Sequence, residues 1–114
     1  MATSPEYIEF VCDSVRTAFS GDVRHKKMFG EYMVYVNDKP LVLVCDDTAF
    51  VKMLPCLADL MADAPQSYPY SPEKYPGAKL HYILDVEDRE LTGQVIRALE
   101  EVVPVPRPKK PKRQ

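Results

Sequence analysis

Residues 32–53 read YMVYV-NDKP-LVLVC-DDT-AFVKM: three apolar runs, Tyr32 to Val36, Leu41 to Cys45 and Ala49 to Met53, parted by short polar connections. The runs are rich in β-branched and aromatic residues, which suit a pleated, half-buried surface. Asn37-Asp38-Lys39 and Asp46-Asp47-Thr48 hold residues that favour tight turns. The stretch therefore predicts an antiparallel meander. Alternation along its last strand places Phe50 and Lys52 on one face and Val51 and Met53 on the other. The first two strands are apolar on both faces, which favours a dimer or a binding face on whichever side the rest of the chain leaves uncovered.

Outward from the meander, Ser4 is a favourable N-cap with Pro5 at the first helical position. Ile8, Cys12, Val15 and Phe19 recur at helical spacing until Ser20-Gly21. A strand is expected over Asp22 to Phe29, with imperfect alternation because Arg24, Lys26 and Lys27 share it with Val23 and Met28. Downstream, Pro55 fits the first turn of a second helix bearing Leu57, Leu60, Met61 and Ala64, which Pro65 stops. From Pro65 to Lys79 four prolines predict a long loop carrying Tyr68, Tyr70 and Tyr75. Leu80 to Leu84 reads as the last strand, and Asp88 caps a final helix with Leu91, Val95, Leu99 and Val102 along one face.

The expected architecture is α+β, a mainly antiparallel sheet of about five strands in the order α-β-β-β-β-α-β-α, with the helices on one face. At 114 residues and 46% hydrophobic the chain holds one core. Residues 1–103 are expected to form the domain. Pro104, Pro106, Pro108 and Pro111, interleaved with Arg107, Lys109, Lys110, Lys112 and Arg113, predict a disordered tail over 104–114. Those five cations sit within a net charge of −2, so the body carries −7. An acidic body repels phosphate, which makes the tail the place for any non-specific nucleic-acid contact. No apolar run approaches the ~18 residues of a membrane span, and the first residues lack a signal layout, so a cytoplasmic protein is expected. The three cysteines lie in apolar stretches without metal-ligand spacing and read as buried thiols, and neither a metal nor a cofactor is expected.

Few residues offer chemistry. Asp46 and Asp47 are adjacent carboxylates, a pattern that turns favour for backbone bonding. His81 lies mid-strand, where a packed or surface role outweighs that of a base. The four glycines are isolated, so no phosphate loop forms. Gly77 is expected to take positive φ in a Pro-Gly turn. Arg24, His25, Lys26 and Lys27 beside Phe29 and Tyr32 resemble a nucleic-acid surface, but a strand sends alternate residues to opposite faces and splits them. The loop tyrosines offer large contact area, either to a partner or to their own sheet.

Lys27-Met28-Phe29-Gly30, Asp46-Asp47-Thr48-Ala49-Phe50-Val51-Lys52 and Tyr75-Pro76-Gly77-Ala78-Lys79 together resemble the N-terminal domain of the TfoX/Sxy competence regulators, over about Val23 to Val103. Glu31 and Met33 stand where that family often has glycine. The resemblance implies a small bacterial α+β module, similar in fold to secretion-chaperone-like domains and without the C-terminal domain of the larger regulators. It implies a non-enzymatic, regulatory protein-interaction role in transcription, with a partner in the transcription machinery or a second copy of the chain. The expected contacts are Met28, Phe29, Tyr32, Tyr68, Tyr70 and Tyr75. Two alternatives are a nucleic-acid-associated accessory protein that uses the tail and a small-molecule-binding domain or enzyme with a pocket near His81, Asp46 and Asp47.

Overall fold

A computed structural model of the chain describes residues 3–28, 31–69 and 77–105. In chain order the elements are α1 (Pro5–Ala18), β1 (Val23–Met28), β2 (Glu31–Val36), β3 (Lys39–Cys45), β4 (Thr48–Lys52), a 3₁₀ turn (Pro55–Leu57), β5 (Gln66–Ser67), β6 (His81–Ile83) and α2 (Arg89–Val102). The strands pair antiparallel in one sheet of order β1-β2-β3-β4-β6-β5. The α+β class and the meander at its centre are those the sequence predicts.

Both meander turns are two residues long rather than three. Asn37 and Asp38 (φ 52° and 67°) and Asp46 and Asp47 (φ 52° and 54°) all lie in the left-handed region. Two consecutive positive φ values belong to a type I′ turn, whose twist matches that of the flanking strands, and Asn and Asp tolerate that region better than most residues. Lys39 and Thr48 consequently enter the strands. β3 also runs through Pro40, which cannot donate to a ladder. The β2–β3 register shifts here, with Val34 facing Val42 but Tyr35 facing Pro40, so Leu41 is the extra residue of a bulge that accommodates the proline.

The core lies on one side of the sheet. Val34, Val36, Val42, Val44 and Val51 meet Val11, Cys12 and Val15 of α1 and Val95, Ile96 and Leu99 of α2, all essentially inaccessible. The N-caps match the expectation: Ser4 Oγ accepts from the Tyr7 N–H at 3.2 Å and Asp88 Oδ1 from the Leu91 N–H at 3.1 Å. At the other end of α2, Lys39 Nζ donates to the Glu100 carbonyl at 2.6 Å and pairs with its carboxylate at 3.1 Å. A cation there offsets the negative end of the helix dipole.

Three elements differ from expectation. The buried stripe of α2 is Thr92, Val95, Ile96 and Leu99, with Val102 about half exposed, because the last turn runs past the core. The second helix is reduced to the 3₁₀ turn Pro55–Leu57 and further turns to Asp63. Leu57 and Met61 are buried as their spacing predicts, but Leu54 supplies no capping side chain, and the bonds from Ala58 to Pro55 and from Ala64 to Met61 span only three residues. Finally, Gln66–Ser67 adds a sixth strand inside the expected loop. It fits between Pro65 and Pro69 because it forms the sheet edge, where a missing N–H costs nothing.

Candidate functional site

Strand register sorts the side chains. Lys26, Met33, Leu43, Phe50 and Ile83 stand opposite one another in a row across five strands, on the face away from the helices. Phe50 and Lys52 share that face and Val51 the other, as alternation predicts. Beside the row, Met33, Pro40, Leu41, Leu43 and Phe50 line a hollow of about 190 Å³, with Lys52 and His81 at its edge. Lys52 and His81 are themselves cross-strand partners. The His81 ring stands edge-on to Phe50, with centroids 6.3 Å apart at 88°, and its Nδ1–H donates to the Lys79 carbonyl at 2.9 Å.

This face is less open than the sequence suggests. Leu43 and Phe50 are only 8% and 6% exposed although the helices pack on the opposite side. Further along the face, the Cys45 thiol donates to the Pro69 carbonyl at 3.4 Å and lies 3.6 Å from Glu31 Oε2, so the chain leaving β5 reaches back over the sheet. Part of the Tyr-Pro loop thus packs on its own domain, as long ordered loops must. Burial, and then the Glu31 charge, push the Cys45 thiol above its ordinary range.

The expected contact residues do not converge on the hollow. Tyr32 lies on the helix side, half-buried and edge-on to His25 at 5.5 Å. Tyr68 is 47% exposed. Met28 ends β1 opposite Glu31, and its side chain lies outside the described residues. Phe29, Tyr70, Tyr75, Arg107, Lys109, Lys110, Lys112 and Arg113 also lie outside the described residues. The basic cluster is divided as alternation requires: His25 turns to the helix side, 3.5 Å from Cys12 Sγ, whereas Lys26 belongs to the opposite row, and Arg24 pairs with Asp22 at 2.9 Å. Gly77 has the expected positive φ, 92°.

Asp46 and Asp47 sit at the far end of β4 from His81, since Thr48 pairs with Cys45 and Lys52 with His81. Their geometry is that of a turn, and Asp47 Oδ1 accepts from the Ser4 N–H at 2.8 Å. A hollow does lie against His81, but without the two aspartates. Of the three free cysteines only Cys12 is fully buried, and its thiol too is pushed up by burial. Among the described residues no group of three or more His, Cys, Asp or Glu is placed to hold a metal, and no helix is long and apolar enough to cross a membrane. Sequence reasoning missed that Met33, Leu43 and Lys52 line one hollow with His81, because only the pairing of neighbouring strands brings them to it.

Comparison with known proteins bears on this arrangement. The chain is 32% identical over 117 aligned positions to an uncharacterized 12.7 kDa protein in the trpE 5′ region of Spirochaeta aurantia, covering 98% of this chain and 93% of that one. No solved structure matches. The family model of the TfoX N-terminal domain matches residues 16–98, from the end of α1 to the last turns of α2. The chain belongs to the TfoX N-terminal domain family.

Proposed function

We propose that the protein is a cytoplasmic, non-enzymatic regulatory module that binds another protein through the sheet face opposite its helices. The observation that carries this reading is the row Met33, Leu43, Phe50 and Ile83, an apolar strip flanked by Lys26 and Lys52 on a face no helix covers, in which the half-buried Met33 and Ile83 supply the accessible surface and Leu43 and Phe50 the buried floor. Apolar centres with polar rims suit protein recognition. Family membership makes the transcription machinery the first partner to examine. The non-enzymatic reading is supported by the dispersal of the chemical groups: Asp47 is engaged in a turn, His81 lies at the other end of β4, and the Cys12 and Cys45 thiols are held protonated by burial.

Affinity capture from the native cytoplasm at moderate salt tests it. One stoichiometric protein is expected, retained when residues 106–114 are deleted and lost in Met33→Glu at unchanged thermal stability. Recovery of mixed nucleic acid that disappears with the tail would instead support the accessory-protein reading.

A further inference from the structure

The hollow beside Phe50 carries charge that packing does not require. Lys52 is exposed at its edge, and none of the ion pairs among the described residues involves it. Its cross-strand partner His81 is fixed in place: a carbonyl only accepts, so the 2.9 Å bond to Lys79 puts the hydrogen on Nδ1, and Phe50 holds the ring edge-on. Met33, Leu43 and Phe50 supply an apolar lining. An ammonium with no ion-pair partner among the described residues, at the edge of an apolar hollow, matches a ligand with an anionic head and a hydrocarbon body. A cationic ligand would be repelled, and a neutral one would accept a hydrogen bond from the lysine but lack the ionic attraction.

We propose that this hollow binds a small apolar monocarboxylate, its hydrocarbon against Met33, Leu43 and Phe50 and its carboxylate on Lys52. At about 190 Å³ the hollow is smaller than the roughly 300–1,000 Å³ of sites for drug-sized ligands, which restricts the guest to about the size of benzoate or hexanoate. The carboxylate reaches its ammonium without leaving water completely, so desolvation costs little. The site shares Met33, Leu43 and Phe50 with the proposed protein interface but does not rest on that reading, because its ligand is a free small molecule.

An NMR titration of the full chain, following the Met33 methyl signal with hexanoate, 1-hexanol and hexylammonium at constant ionic strength, tests the proposal. Saturable shifts are expected with hexanoate at a Kd about fivefold below that of hexanol, the size expected of a partly exposed charge-assisted bond. Hexylammonium should give no saturation. In Lys52→Met, and equally in the uncharged Lys52→Gln, hexanoate should fall to the level of hexanol while the thermal midpoint is unchanged. Equal affinity for hexanoate and hexanol in the native protein, an unresponsive Met33 methyl, or a preference for the acid that survives both substitutions would overturn it. Failure of the native chain to capture a partner, with hexanoate binding intact, would count against the proposed function alone.

Discussion

Ser4 and Asp47, 43 residues apart, clasp the start of α1 to the β3–β4 turn: the Ser4 N–H donates to Asp47 Oδ1 at 2.8 Å, while the Asp47 N–H donates to Thr3 Oγ1 at 3.3 Å. Asp47 must also hold φ at 54°. Asp47→Ala loses the acceptor and leaves a residue that tolerates this backbone less well, so a loss of about 1–2 kcal/mol is expected in urea unfolding. Asp47→Gly loses only the clasp and should cost less, and Asp47→Asn, which keeps an acceptor, least of all. Equal losses in the three variants would show that the clasp and the turn do not act separately.

Gly93 sits inside α2, where alanine is normally the better residue by about 1 kcal/mol. Here a Cβ would lie 2.9 Å from the Ala18 carbonyl oxygen, a backbone atom that cannot rotate away. Gly93→Ala is therefore expected to destabilise by about 1–3 kcal/mol despite its gain in helix propensity. A thermal midpoint raised by the substitution would place the two helices further apart than described.

Ile96 is inaccessible, whereas Val102 is 53% exposed. Ile96→Ala should cost about 2–5 kcal/mol, and Val102→Ala less than about 0.5 kcal/mol. The reverse order would rotate α2 by roughly a quarter turn about its axis. This is a place where the one-dimensional pattern misleads, since Leu91, Val95, Leu99 and Val102 also fall at helical spacing and only the sheet beneath decides which stripe is buried.

The Cys12 and Cys45 thiols are held above the ordinary value of 9.0, by burial first and, for Cys45, by Glu31 next. The unfolded thiols ionise near that ordinary value while the folded ones keep their protons. Their contribution to stability is therefore complete below about pH 9 and is lost as pH rises through the folded values. Denaturant midpoints should fall between pH 8 and 10.5. Glu31→Gln removes a negative neighbour, lowers the Cys45 value and should speed its alkylation at pH 8, although burial keeps it slower than an exposed thiol. Unchanged or slower alkylation would mean the Glu31 charge does not reach the sulfur.

What was legible in the sequence was local. The meander, both polar turns, the Ser4 and Asp88 caps and the positive φ at Gly77 each rest on a few neighbouring residues whose chemistry admits few alternatives. What was hidden is what the register joins: the Lys39–Glu100 pair, the approach of Cys12 to His25, and the row from Lys26 to Ile83 across five strands. The last of these is also why Met33, Leu43 and Phe50 pass for ordinary core residues. Their alternation says that they share a face, but not that the helices cover the opposite one.

The most direct test of the interaction account is photo-crosslinking in the native cytoplasm from two single positions. Position 26 faces Met33 on the helix-free face, and position 94 is exposed on α2. One discrete protein adduct is expected from position 26 and none from position 94. An adduct from position 94 alone, the same adduct from both, or no discrete adduct from position 26 would contradict it.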